Sequence, residues 1–280
     1  ICISGLVSRI TALYASVEYV GIDIYSHATW IQSIVTDHSL IGLSSTKYFY
    51  APMYHIQVAQ GQLLFDIGTK EALTLTTMSS VVIVSALVVY VITNRLWNTQ
   101  IALLASLLYT GADEAIYWGI HLIPTSLGIA FFSITLLSLV RYYLHGDKRM
   151  FVLFIAATAS LIQTHQVSLF ISATLVLGFS LAIVIYSFRL PMRITHISLF
   201  TGFAVMFDFM TTKYSGPDGS QSFFEVILET FINSLTVSGT TTRPEVALPA
   251  DPRISGGGAD ALANIQIAGS SMLLFFAVLG

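Results

Sequence analysis

Long uncharged apolar runs alternate with short polar segments along this chain. Between charged residues, Ala72 to Asn94 spans 23 positions, Leu96 to Ala112 spans 17 and Ala115 to Val140 spans 26. A helix needs roughly 20 apolar residues to cross a hydrocarbon core of about 30 Å, so each run predicts one crossing. The stretch from Met150 to Phe188 holds 39 uncharged residues. At about 1.5 Å per residue it is roughly twice the membrane thickness and must turn back. The polar cluster Gln163, Thr164, His165 and Gln166 marks that turn. Ile194 to Thr212 predicts a further span and Ala261 to Gly280 the last. That makes seven after a truncated N-terminal helix, in a chain that opens on Ile1 and reads as a fragment.

Composition agrees: 55% of residues are hydrophobic and 10% are charged, against roughly 25% charged in a soluble domain. The expected fold class is an all-α integral membrane protein, a multi-span helical bundle, because backbone polar groups in lipid must be satisfied within each segment. A net charge of −3 without a basic stripe excludes nucleic acid as a partner. The single cysteine, Cys2, allows no intrachain disulfide.

Charge sets the orientation. Arg95, then Arg141, Lys148 and Arg149, then Arg189 and Arg193 fall in alternate short loops and hold six of the twelve Lys and Arg residues, with Asp147 the one acid among them. Excess positive charge in short loops marks the cytoplasmic side. The expectation is therefore a multi-pass protein of the plasma membrane. Its extracytoplasmic face carries a first external loop at 18–71, a connection around Asp113, the His165 turn and a long external loop at 213–260.

The candidate chemistry lies on that face. In the first loop, Ile24, Ala28, Ile31 and Val35 make an apolar stripe of an interfacial amphipathic helix, and Asp23 and His27, at i and i+4, share another face. Asp23 is either the cap of this helix or a general base beside an acceptor hydroxyl. The segment Tyr48-Phe49-Tyr50-Ala51-Pro52-Met53-Tyr54-His55 reads as an aromatic belt at the bilayer surface or as the lining of a substrate groove. Asp113 and Glu114 read as solvated helix ends or a cation site. His121 and His165 sit at turns on the same side. Arg243 and Arg253 in the long loop are solvated charges or phosphate ligands.

Three patterns together resemble a known family: Gly21-x-Asp23 followed by His27, then Pro52-x-Tyr54-His55-Ile56, then Asn94-Arg95-Leu96-Trp97-Asn98 with the turn before Pro124-Thr125-Ser126-Leu127-Gly128. Over roughly residues 15 to 190 the chain resembles polytopic type C (GT-C) glycosyltransferases of prokaryotic or archaeal type. The resemblance implies transfer of a sugar from a polyprenyl-phosphate-linked donor to a glycan, lipid or protein acceptor on the outer face, with Asp23 as catalytic base. It implies substrate contacts from His27, Tyr54, His55, His121 and His165. It also implies a divalent cation, Mg or Mn, held by Asp113 and Glu114. The rival classes are a polytopic transporter, which needs ionisable groups or broken helices within the membrane, and a non-catalytic membrane subunit.

Overall fold

The computed structural model describes residues 1–232 apart from 16, 17, 189, 190, 218, 220, 223, 224, 227, 230 and 231. The expected span Ala261 to Gly280, Arg189, Arg243, Arg253 and most of the 213–260 loop lie outside the described residues. The chain divides into Ile1–Thr230 and Phe231–Gly280, and the architecture below is that of the first unit.

All named elements among the described residues are helical: α1 Cys2–Ala15, α2 Asp23–Asp37, α3 Met53–Phe65, α4 Thr69–Leu96, α5 Thr99–Gly111, α6 Asp113–Ile120, α7 Pro124–His145, α8 Lys148–Thr164, α9 Gln166–Ser187 and α10 Met192–Thr211. Of these, α4, α7, α9 and α10 are long and apolar enough to cross a membrane. The run Leu96 to Ala112 is shorter as a helix than its apolar length suggests. Asn98 starts α5 late by accepting from the Ile101 amide at 3.0 Å, and its 13 residues reach only about 20 Å.

The expected single span Ala115 to Val140 is broken in two. Pro124 disfavours the helical region for the residue before it, and Ile123 adopts φ −115° and ψ 175°. The carbonyls released at this break find new donors. Ser126 Oγ donates to His121 O at 2.6 Å, and the Tyr54 hydroxyl donates to Leu122 O at 2.5 Å. Tyr54 is fully buried for that purpose, which makes this aromatic a tie between α3 and the α6–α7 corner rather than part of a surface belt.

Within α4, two π-helical turns cover Thr74–Met78 and Ser80–Val84. Hydroxyls of Thr74, Thr76, Ser79 and Ser80 donate to carbonyls four residues back, a pairing that loosens the regular ladder. The turn at His165 is as expected: α8 ends at Thr164 and α9 begins at Gln166, with α8 packed along α7.

Long-range contacts gather the basic loops at one end of the bundle. The Arg95 guanidinium meets His145 Nε2 at 2.9 and 3.2 Å, and Arg193 Nη1 donates to Tyr143 O at 3.0 Å. Arg95 and Arg141 line one depression there. The alternate-loop grouping of positive charge is therefore a spatial grouping, in which successive helices return their basic ends to the same level.

Candidate functional site

Four histidines that lie far apart in sequence are gathered at the opposite end. His27 on α2, His55 on α3, His121 at the end of α6 and His165 between α8 and α9 are each at least nine-tenths buried. His27 Nδ1 lies 2.9 Å from His55 Nε2. The rings of Trp30, Tyr48 and Tyr54 pack edge-on around His27 at 4.9 to 5.6 Å.

This corrects the expected layout of α2. His27 does not share an outward face with Asp23. It is buried with Ile24, Ile31 and Ile34, while Asp23 is exposed and Ala28 and Val35 are half-buried. The spacing 24, 27, 31, 34 is itself a regular helical face, and an imidazole with a buried partner can occupy it. Asp23 is the first residue of α2 and does not act as its cap: the cap position is Ile22, with no side-chain bond to the helix.

Burial holds all four imidazoles neutral at pH 7. His27 is pushed down to about 3, first by desolvation and then by Lys47, His165 and His121. His165 is also pushed down to about 3, by desolvation and Lys47. His55 falls well below its ordinary value through burial and then His27, and His121 falls through burial, opposed by Asp23. The backbone amide of Ser168 donates to His165 Nδ1 at 3.3 Å. The ring proton is therefore on Nε2, which faces Thr125 Oγ1 at 3.1 Å.

His121 differs from the others. Its ring stacks on Trp118 at 5.9 Å with planes 9° apart, and both ring nitrogens are buried with no partner among the described residues. Gly21 makes room for it. Gly21 has φ +95°, and a Cβ there would stand 2.5 Å from His121 Nε2, so both conformation and space call for glycine.

Asp23 lies at the exposed side of this group. Its charge acts on Lys47, Tyr48, Tyr117 and His121. Tyr48 is raised to about 12 by burial and then by Asp23. Lys47 is lowered by burial, with Asp23 opposing. Lys47 was missed in the sequence pattern, although it is one of only two lysines in residues 18–71. The result is an exposed carboxylate, a half-buried ammonium and a buried imidazole with two unpartnered nitrogens at one end of a helical bundle. Such a set can accept a proton from a hydroxyl and offset negative charge developing beside it.

Asp113 and Glu114 stand at the start of α6, where Glu114 acts together with Asp23 on Tyr117. Both are exposed in the first turn of α6, where carboxylates meet the positive end of the helix dipole. No set of three His, Cys, Asp or Glu side chains placed to hold a metal ion occurs among the described residues. Asp113 and Glu114 would offer a divalent cation two carboxylates, leaving the rest of its coordination to water or substrate oxygens.

Two further buried charges interrupt the apolar spans. Arg9 in α1 is 2% exposed. Asp208 in α10 is fully buried, with Oδ1 accepting from Thr212 Oγ1 at 2.7 Å and Oδ2 without a partner among the described residues. Comparison with family models, with curated proteins and with solved structures gives no match.

Proposed function

We propose that this protein is a membrane glycosyltransferase that moves a sugar from a polyprenyl-phosphate-linked donor to an acceptor on the extracytoplasmic face. What supports the reading is one observation: Asp23, Lys47 and the histidines share one end of the bundle, opposite the end that gathers Arg95, Arg141, His145 and Arg193. By the positive-inside rule the arginine end is cytoplasmic, which puts the Asp23 end outside, where lipid-linked sugars are used without a nucleotide.

In this reaction the Asp23 carboxylate takes the proton of the acceptor hydroxyl. The freed oxygen attacks the anomeric carbon and forms the new glycosidic bond. The bond from that carbon to the phosphate oxygen breaks, and its electron pair leaves with the lipid phosphate. Lys47 offsets the developing charge, and the buried His121 ring, packed against Gly21, helps to position the segment that carries Asp23.

The test is transfer from synthetic polyprenyl-phosphate sugars by membranes containing the full-length protein, compared with Asp23→Asn and Asp23→Ala. Loss of transfer by roughly a hundredfold or more in both is the expected result for a lost general base. Unchanged transfer in both overturns the assignment.

A second reading has its own support. Asp208 is a buried carboxylate within a span, and the α6–α7 break interrupts an otherwise continuous apolar run, as substrate sites in transporters require. Solute uptake into proteoliposomes that Asp208→Asn abolishes, without sugar transfer, would establish that reading instead.

A further inference from the structure

Arg9 is a buried cation whose described partners are all neutral. Its Nη1 donates to Gly5 O at 3.1 Å and its Nη2 to Thr110 O at 2.8 Å, while Nε is buried without a partner. A guanidinium cannot shed its proton to escape burial, and a buried charge without a counter-ion is strongly unfavourable. The fold nevertheless makes space for it. A Cβ on Gly119 would stand 2.5 Å from Arg9 Nε, so glycine in α6 is what lets the guanidinium lie there.

Beside Arg9 is a cavity of about 160 Å³, whose walls include Thr110, Glu114 and Trp118. It shares Tyr109, Trp118 and Ile129 with a second cavity of about 500 Å³. The second runs between α4, α7 and α9 along Val88, Ile92, Phe132 and Leu136, and its lining is almost wholly apolar. The two together match one chemistry, an anionic head joined to a hydrocarbon chain. Thr110 and Glu114 lie close to where α5 ends and α6 begins, at the level where lipid phosphates sit if α4 and α7 cross the bilayer.

We propose that this composite cavity binds a phosphate-headed lipid, with the phosphate on Arg9 and one chain between α4, α7 and α9. Guanidinium is suited to such a head because it presents several donors in one plane to phosphate oxygens. Glu114 is the competing occupant, since it lines the same chamber and its carboxylate could close on Arg9. The inference does not depend on sugar transfer: lipid retention is measured without any turnover.

The full-length protein in nanodiscs is irradiated with tail-diazirine probes: a polyprenyl phosphate, a phosphatidylglycerol and, lacking a phosphate, a diacylglycerol. Crosslinks from a phosphate-headed probe at Val88 to Ile92 or Phe132 to Leu136, several-fold above the diacylglycerol, are expected, and the stronger of the two probes names the source. Labelling should fall about tenfold in Arg9→Gln, the loss of one or two charge-assisted bonds. Ile92→Trp, which fills the chain cavity and leaves Arg9 in place, should block it while the protein still melts cooperatively. Glu114→Gln should leave labelling unchanged or raise it. Equal labelling by all three probes, or full labelling of both Arg9→Gln and Ile92→Trp, overturns the proposal. So does absent wild-type labelling with a destabilised Glu114→Gln, which would make Glu114 the partner of Arg9.

Discussion

His27 Nδ1 and His55 Nε2, on helices joined by a 28-residue sequence separation, face each other at 2.9 Å in a buried cage of aromatic rings. One nitrogen must donate and the other accept, so the pair is held in complementary neutral forms. It fastens α2 to α3 and thereby fixes where Asp23, at the head of α2, stands relative to Lys47.

Removing one half of this pair should cost more than removing both. In His55→Leu the ring nitrogen of His27 is left buried without a partner, at a cost of about 1–3 kcal/mol. In the double variant His27→Phe/His55→Leu no polar atom remains to be satisfied. Thermal melts in detergent should place the double variant above the sum of the single losses. Strict additivity would show that the pair carries no coupling.

Acid should destabilise the protein. His27 and His165 titrate near 3 in the fold, against about 6.5 in the unfolded chain. Between those values the unfolded state binds the extra protons, so stability is full above about pH 6.5 and falls as pH drops towards 3. Each such histidine contributes a slope of up to about 1.4 kcal/mol per pH unit. Melting temperature measured from pH 7.5 to 4 should decline, and His165→Gln should flatten the decline. An unchanged profile in that variant would show that His165 is not held neutral by burial.

Tyr54→Phe removes the donor to Leu122 O at the α6–α7 break. The orphaned buried carbonyl should destabilise the protein by about 1–3 kcal/mol, measured by denaturant or thermal unfolding. The same change should alter Trp118 fluorescence, because Trp118 stacks on His121 immediately before the break.

Gly21→Ala places a methyl against His121 and strains a left-handed backbone. It should displace His121 and lower sugar transfer by roughly tenfold or more, as misplacement of about 1 Å can, with only a modest fall in melting temperature. Wild-type transfer would separate His121 from the site.

Orientation can be read by labelling intact cells with an impermeant maleimide. Ile41 and Trp97 are 76% and 64% exposed and lie towards opposite ends. Ile41→Cys should label and Trp97→Cys should not, in a Cys2→Ser background. The reverse pattern would invert the assigned faces.

Much of the architecture was legible in the chain because its causes are local. An apolar run long enough to span, a proline that stops a helix from entering at Ile123, and a polar cluster at His165 act within one or two turns. Charge alone does not mark the break at Pro124, because the run Ala115 to Val140 is uncharged on both sides of it. The alternation of basic loops was likewise readable, since antiparallel helices return every second loop to the same end.

What only the tertiary structure decided is which polar side chains meet. The period of α2 allows two overlapping faces, one centred on Ala28 and one on His27, and the partner His55 on α3 selects the second. Local spacing therefore joined Asp23 to His27, whereas packing separates them and brings Asp23 towards Lys47 and His121. Arg9 and Asp208 are isolated charges within apolar helices, and only packing shows that each is buried with an unpartnered atom among the described residues. Hydrophobic periodicity records how a segment relates to its own axis. A buried polar contact depends on a second segment brought from far along the chain, and that information exists only once the helices have packed.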